Sequence, residues 1–261
     1  MMFKQLAAGV VMMMSATMAQ ADGLKDEIAA SGTLRVAIGI SPAGGAYWST
    51  KKPDGSYAGV PVTLGTEMAK AIGVPVAFVT YQNSGQIVDA ADSGVYDVTF
   101  LPVDAERQAR MSFGPNYEMA DATYIIKGGS DISDFATLDK TGVQVAAVSN
   151  TTTMRGAVAH LKNAKVSGYQ TYDEIFALLK SGAVDAFALS RDQLNAMARQ
   201  LPGSKVLDET FKQTTTAVAV PKGKPLSLAF VTTFMNGAKT NGTLRAAYDA
   251  NGLKDTPIRA K

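Results

Sequence analysis

The chain has 261 residues, 25 Lys and Arg against 23 Asp and Glu for a formal net charge of +2, one histidine and no cysteine. The absence of cysteine excludes disulfides, thiolate metal sites and a cysteine nucleophile, and a lone histidine supplies no ligand set for zinc or copper. Basic residues are scattered rather than striped, so the chain carries no nucleic-acid footprint, and no cofactor is expected.

In chain order, the first residues read as a targeting segment. Lys4 supplies a positive start, residues 6–18 form an apolar run, and Ala19-Gln20-Ala21 gives a small-x-small cleavage pattern. The run is shorter than the roughly 20 residues that span a bilayer. Residues 1–21 are therefore expected to be a signal peptide, with the mature protein starting near Asp22 in the periplasm. With no cysteine to carry a lipid, it is expected to lack a lipid anchor and to be a monomer.

The mature part opens with a strand over 33–40. A helix over 62–72 follows, with Leu64, Met68 and Ala71 on one face and Gly73 as its stop. A strand over 74–80, a helix over 86–91 and a strand over 96–101 complete a β-α-β-α-β series, the pattern of a parallel sheet with helices on both faces. The series restarts with a strand at 142–148, a helix at 152–162, a strand at 165–169, a helix at 173–180 and a strand at 184–189. His160 falls at helical spacing and reads as an ordinary helix residue. Two β-branched segments, 122–126 and 214–220, suit strands that cross between two units. The tail, 226–248, has helical spacing and is expected to pack back on the first unit.

An internal echo supports two similar units. The stretch 81–97 returns at 169–185, with Tyr81/Tyr169, Gln82/Gln170, Ile87/Ile175, Ser93/Ser181, Gly94/Gly182 and Asp97/Asp185 coinciding. The division expected is lobe 1 over 22–121 and 214–261, and lobe 2 over 122–213. Open parallel sheets bind ligands outside the C-terminal ends of their strands, so a single cleft between the lobes is expected.

Five segments occur in a familiar order and spacing. They are Gly32-Thr-Leu-Arg-Val-Ala, Asp54-Gly-Ser-Tyr-Ala-Gly-Val-Pro-Val-Thr-Leu-Gly-Thr-Glu-Met-Ala, Tyr96-Asp-Val-Thr-Phe-Leu-Pro-Val-Asp-Ala-Glu-Arg, Met111-Ser-Phe-Gly-Pro-Asn-Tyr117 and Ser181-Gly-Ala-Val-Asp-Ala. In these the chain resembles the family 3 periplasmic solute-binding proteins, the receptors of polar amino-acid ABC transporters. The resemblance implies an α/β, two-lobed periplasmic binding protein fold, with parallel-type sheets flanked by helices and joined by two crossing strands. It implies a binding protein rather than an enzyme. Such a protein captures a small carboxylate-bearing ligand, an amino acid or related organic acid, and delivers it to an ABC transporter permease.

Arg107 follows the third strand closely, where a guanidinium can clamp a carboxylate through two parallel hydrogen bonds; the alternative is a solvated surface arginine. In the family the arginine at the matching position binds the ligand's carboxylate. Thr152, with Asn150, Thr151 and Thr153, lies at a helix start whose amides suit an anion, although the same residues would serve as an ordinary N-cap. Tyr47 and Trp48, after a Gly-rich loop, offer either an aromatic wall or core packing. Residues 81–84 are a weaker candidate for the same wall, and Tyr117 of the fourth segment is a further candidate contact.

One departure from the family stands out. The acid that usually follows the strand beginning at Asp185, and pairs with a ligand's ammonium, is replaced by Ser190 with Arg191 beside it. Asp104 and Asp121 are the substitutes considered, Asp104 being equally suited to cap the helix of Arg107. The rival reading is a lyase resembling cyclohexadienyl dehydratases, with Glu118, Glu174, Asp121 or Asp192 as general acid, although nothing in their spacing makes a pair. A sensor that hands ligand to a membrane receptor is the third reading.

Overall fold

The computed structural model describes residues 23–41 and 45–259, so the leader read at 1–21 lies outside the described residues. The first parallel strands are β1 (Leu34–Gly39), β4 (Val76–Tyr81) and β5 (Val98–Pro102); a two-stranded hairpin, β2 (Thr50–Lys51) and β3 (Tyr57–Ala58), lies apart from them. The second parallel set is β7 (Gln144–Val148), β8 (Lys165–Tyr169) and β9 (Ala186–Ser190). Between the sets run two long antiparallel strands, β6 (Met111–Ile126) and β11 (Lys212–Pro221), with short β10 (Lys205–Val206) on the edge of β6. The main sheet reads β4-β1-β5-β11-β6-β9-β7-β8.

Local chemistry explains the parallel parts. β5 and β9 are buried along their whole length, as strands covered by helices on both faces must be, and both are near-continuous apolar runs. The helix Val60–Ile72 has Pro61 in its first turn and left-handed Gly73 as its cap, with Leu64, Met68 and Ile72 buried one turn apart. The echo also has a structural meaning. Asp97 Oδ2 accepts the Arg35 amide of β1 at 2.8 Å, and Asp185 Oδ2 accepts the Gln144 amide of β7 at 2.8 Å. The two aspartates therefore do the same job, each joining its strand to the parallel neighbour.

The crossing strands are longer than the pattern at 122–126 and 214–220 suggests. β6 pairs with β11 from Ala122↔Lys212 to Met111↔Pro221. The same strands serve one set at one end, through Thr216–Ala219 on β5, and the other set at the opposite end, through Ala122–Ile126 on β9. The register slips between Thr216 and Ala217 and again between Ala217 and Ala219. Pro115 falls in the second slip, where its missing N–H deprives no ladder of a bond. That is how a proline sits within this strand.

Two apolar clusters, centred on Val36, Leu64, Tyr117, Val218 and Tyr248 and on Ala37, Ile87 and Leu101, draw only on residues 24–117 and 218–258. Two others, around Ile125, Phe187 and Leu194 and around Tyr124, Leu138 and Leu207, draw only on residues 124–211. The tail is two helices, Pro225–Thr240 and Thr243–Ala250, broken at Asn241-Gly242 with Gly242 left-handed. They pack into the first of these clusters, that of Val36 and Leu64, through Val231, Met235, Leu244 and Tyr248.

Burial works against the charge of Asp185, but the Gln144 N–H and Lys127 outweigh it and hold its carboxyl below the usual range. Its contribution is therefore present above the unfolded-state pKa and fades as pH falls through the folded-state value. Asp185→Asn is expected to lower stability by about 1–2 kcal/mol at neutral pH, with the deficit shrinking in acid. Urea unfolding at neutral and acidic pH checks it.

Candidate functional site

The C-terminal ends of β5 and β9 face each other across the crossing strands. Trp48, Ser84 and Pro102 approach from one side, and Thr151, Thr152, Thr153, Tyr172, Leu189, Ser190 and Gln193 from the other. Ala120, Ala122, Thr214 and Thr216 of the crossing strands form the floor. About 30 Å³ is left at the centre, room for a water molecule and not for an amino acid.

The two sides are in contact. Asn83 Nδ2 donates to the Gln170 carbonyl at 3.0 Å. A Cβ on Gly85 would lie 2.7 Å from that of Asn150, so only glycine permits this approach. At the outer rim Arg155 donates through Nε to Asp104 Oδ2 at 3.1 Å, forms a second, closer contact to the same oxygen through Nη2, and reaches Glu106 at 3.1 Å. The molecule is therefore in a closed form.

Arg107 lies at the centre of that contact. The side chain is 1 % exposed. Its Nη1 donates to the Pro102 carbonyl at 3.0 Å, and its Nη2 to Ser84 Oγ at 2.7 Å and, at 3.5 Å, to the Asn150 carbonyl. All three acceptors are neutral. Burial pushes its pKa down to about 10, with Asp104 resisting the fall. Asp104 is nearby, but its Oδ1 caps the Arg107 amide at 2.9 Å and its Oδ2 holds Arg155. Burial opposes the Asp104 charge; Arg155 and the Arg107 amide overcome it and keep the carboxyl below the usual range.

The other sequence candidates separate clearly. Thr151 is the N-cap of the helix Thr152–His160: its Oγ1 accepts from the Met154 amide at 3.1 Å and donates to the Val148 carbonyl at 2.7 Å. Thr152 and Thr153 stand beside it on the cavity wall, with first-turn amides that have no intrahelical partner. Asn150 contributes its carbonyl to Arg107 and is otherwise exposed, with φ 59. Trp48 and Ser190 line the cavity.

Tyr47 and Tyr117 do not. Tyr117 Oη donates to the Tyr47 carbonyl at 2.9 Å, and the Tyr47 ring packs edge-on to Tyr248 at 5.4 Å. Both belong to the first core. Asp104 and Asp121 are likewise not among the cavity-lining residues. Asp121 is paired with Arg259 at 2.8 Å and Gln213 at 2.9 Å. Arg191, read as a cation beside the cleft, turns away and donates to the carbonyls of Leu207, Asp208 and Glu209. His160 lies in an aromatic group, Nδ1 at 3.1 Å from Tyr124 Oη.

What sequence spacing did not bring together is an acid pair. Asp192 Oδ1 accepts from Ser190 Oγ at 2.5 Å, and Glu118 engages Thr216. Burial first, and then Asp192, pushes the Glu118 carboxyl well above the usual range; burial raises Asp192 too. Burial and these two acids push the Tyr47 phenol up to about 12. Gln193, Tyr172, Thr214 and Thr216 also went unread. Gln193 and Thr216, polar residues in otherwise buried segments, carried the only available signal.

A family model for bacterial extracellular solute-binding proteins, family 3, matches residues 36–253. The chain belongs to this family. Among its curated relatives, a glutamine-binding protein of Geobacillus stearothermophilus is 30% identical over 113 residues, 43% of this chain and 43% of the relative. The ABC transporter glutamine-binding protein GlnH of Bacillus subtilis (strain 168) is 26% identical over 160 residues, 61% of this chain and 58% of the relative. The matched segments thus span about half the length of these relatives.

Solved structures match at greater length. An ancestral arginine-binding protein bound to glutamine is 28% identical with a TM-score of 0.75, covering 85% of this chain and 98% of that one. The ancestral amino acid-binding protein AncCDT-1, a precursor of cyclohexadienyl dehydratase, is 29% identical with a TM-score of 0.74, covering 86% and 97%. A mutant ArgBP from T. maritima, 22% identical, has a TM-score of 0.76, covering 87% of this chain and 97% of that one, and shares the fold. The two-lobed α/β architecture is common to all of them.

Trp48 is the sole tryptophan and lies on the cavity wall. Any ligand that enters is expected to change its emission saturably, and Trp48→Phe to abolish the signal while leaving the melting temperature within a few degrees. Fluorescence titration measures both.

Proposed function

We propose that this solute-binding protein captures a small carboxylate-bearing ligand, an amino acid or related organic acid, between lobes of 22–121 with 214–261 and 122–213. Arg107 is the clamp. The observation that carries this reading is a fully buried guanidinium whose hydrogen-bond acceptors are all neutral oxygens. A buried charge is costly unless an opposite charge or strong hydrogen bonds meet it, and a carboxylate fits the fork of donors. Thr152 and Thr153 add hydroxyls and first-turn amides from the facing lobe, and Trp48 an apolar wall. The names of the relatives and neighbours, which speak of glutamine and other amino acids, support the same class.

The clam opens by rotation about 120–123 and 213–216, where the strands cross, and ligand selects the closed form because it bridges both lobes only there. The protein works in the periplasm and passes its ligand to an ABC permease that recognises the closed pair of lobes. The enzyme reading has one observation in its favour, the buried acids Glu118 and Asp192. Neither is among the residues that line the cavity, and a general acid must come within hydrogen-bond reach of the group it protonates. Incubation with prephenate or arogenate is expected to give no product.

A thermal-shift screen across amino acids, dicarboxylates and aromatic acids is expected to raise the melting temperature for a carboxylate-bearing compound. Arg107→Ala should weaken that compound by about 2–5 kcal/mol, roughly thirtyfold or more. Unchanged binding, or binding only of a neutral sugar, contradicts the clamp.

A further inference from the structure

Arg155 is not among the residues that line the cavity, yet it ties the two lobes together by charge. It lies one turn into the helix Thr152–His160, its amide bonded to the Thr151 carbonyl at 3.2 Å. Its Nε donates to Asp104 Oδ2 at 3.1 Å, its Nη2 makes the closer contact to the same oxygen, and its Nη1 reaches Glu106 Oε2 at 3.1 Å. One fork of donors thus spans two carboxylates of the facing lobe. Every other ion pair among the described residues, Arg110 with Asp89 and Lys127 with Asp185 for example, stays within one lobe.

Asp104 links this contact to the binding helices. Its Oδ1 accepts from the Arg107 amide at 2.9 Å, capping the helix Ala105–Arg110, while its Oδ2 takes Arg155. The two oxygens of one carboxylate therefore join the helix that carries Arg107 to the helix that starts at Thr152. The Asp104 side chain is 15 % exposed and that of Arg155 32 %, so this pair is screened less than a surface pair; Glu106, at 64 %, sits in solvent. Separating the lobes would return all three groups to water, so the contact stabilises the closed form alone. The approach of Gly85 to Asn150 also belongs to that form, since an added Cβ would stand 3.0 Å from the Asn150 carbonyl oxygen.

We infer that Arg155 is a positioning residue: through Asp104 and Glu106 it clasps the lobes outside the cavity and sets how much of the work of closing any ligand must supply. This rests on the reading of two lobes that open and close, and not on the Arg107 clamp. A contact that touches no ligand adds the same increment to closure for all of them, so it tunes affinity without choosing between ligands. One half-buried pair and one exposed pair raise the ratio of closed to open protein by about threefold to tenfold.

The chain has no cysteine, so Lys70→Cys and Lys180→Cys, exposed positions on either lobe, take spin labels whose separation reports closure. In protein without added ligand, Arg155→Ala is expected to lower the ratio of closed to open separations by about threefold to tenfold. Raising salt from about 0.05 M to about 1 M should lower it in the same direction in the wild type, and hardly at all in Arg155→Ala. Arg155→Lys keeps the charge without the fork and should recover part of the loss. Equal closed populations in the wild type and Arg155→Ala, or a wild type that is open at every salt concentration, overturns the clasp. A loss that lysine does not relieve at all assigns Arg155 to the folding of its own lobe and overturns it too. Gly85→Ala checks the two-lobe reading separately: the closed separation should vanish, and its survival there refutes that reading whatever Arg155 does.

Discussion

A guanidinium buried between two lobes and met only by a carbonyl or a hydroxyl sets the terms for the rest of this molecule. Desolvation weakens the Arg107 charge, and among the described residues no side-chain carboxylate hydrogen-bonds to it. Asp104, the nearest acid, is held by the Arg107 backbone amide and by Arg155. The lobes therefore close over a positive charge that the protein itself leaves without a direct ion pair. A ligand's carboxylate is the simplest partner.

Closure depends on how the lobes are joined. One sheet runs through the whole molecule, yet its two parallel halves share only β6 and β11. The register slips between β11 and β6 lie within Thr216–Ala219, the stretch of β11 that pairs with β5. Among the described residues, the polar contacts between lobes include Asn83 to Gln170, Arg155 to Asp104 and Glu106, and Arg107 to Asn150. The Arg155 pairs at the partly exposed rim contribute little each, which suits an interface that must open.

The repeating architecture was legible because it rests on local rules. Apolar runs of strand length, helices closed by Gly73 or Gly182, and the paired Asp97 and Asp185 can all be read along the chain. Arg107 and the Thr151–Thr153 helix start were legible for the same reason: each sits just after a strand, at the end where ligands bind. What could not be read depends on contacts distant in sequence. Asp104 and Asp121 look available until Arg155 and Arg259 reach them. Tyr47 and Trp48 are neighbours, yet the fold sends one to the core beside Tyr248 and the other to the cavity. Glu118 and Asp192, far apart in sequence, come within electrostatic reach through a crossing strand and the helix Arg191–Ala198. The tail reads as one helix by its spacing, and Asn241-Gly242 divides it.

The cleft thus holds a buried cation, Arg107, met by neutral oxygens from both sides. Such a site suits a ligand that carries a negative charge, and the clamp is the half of that interaction which the protein supplies. Titration calorimetry comparing the ligand found in solution with its carboxamide, which keeps every group but the carboxylate charge, tests that half most directly. Loss of affinity by roughly thirtyfold or more in the carboxamide is the result expected of an Arg107 clamp; equal affinity for the two compounds would contradict it.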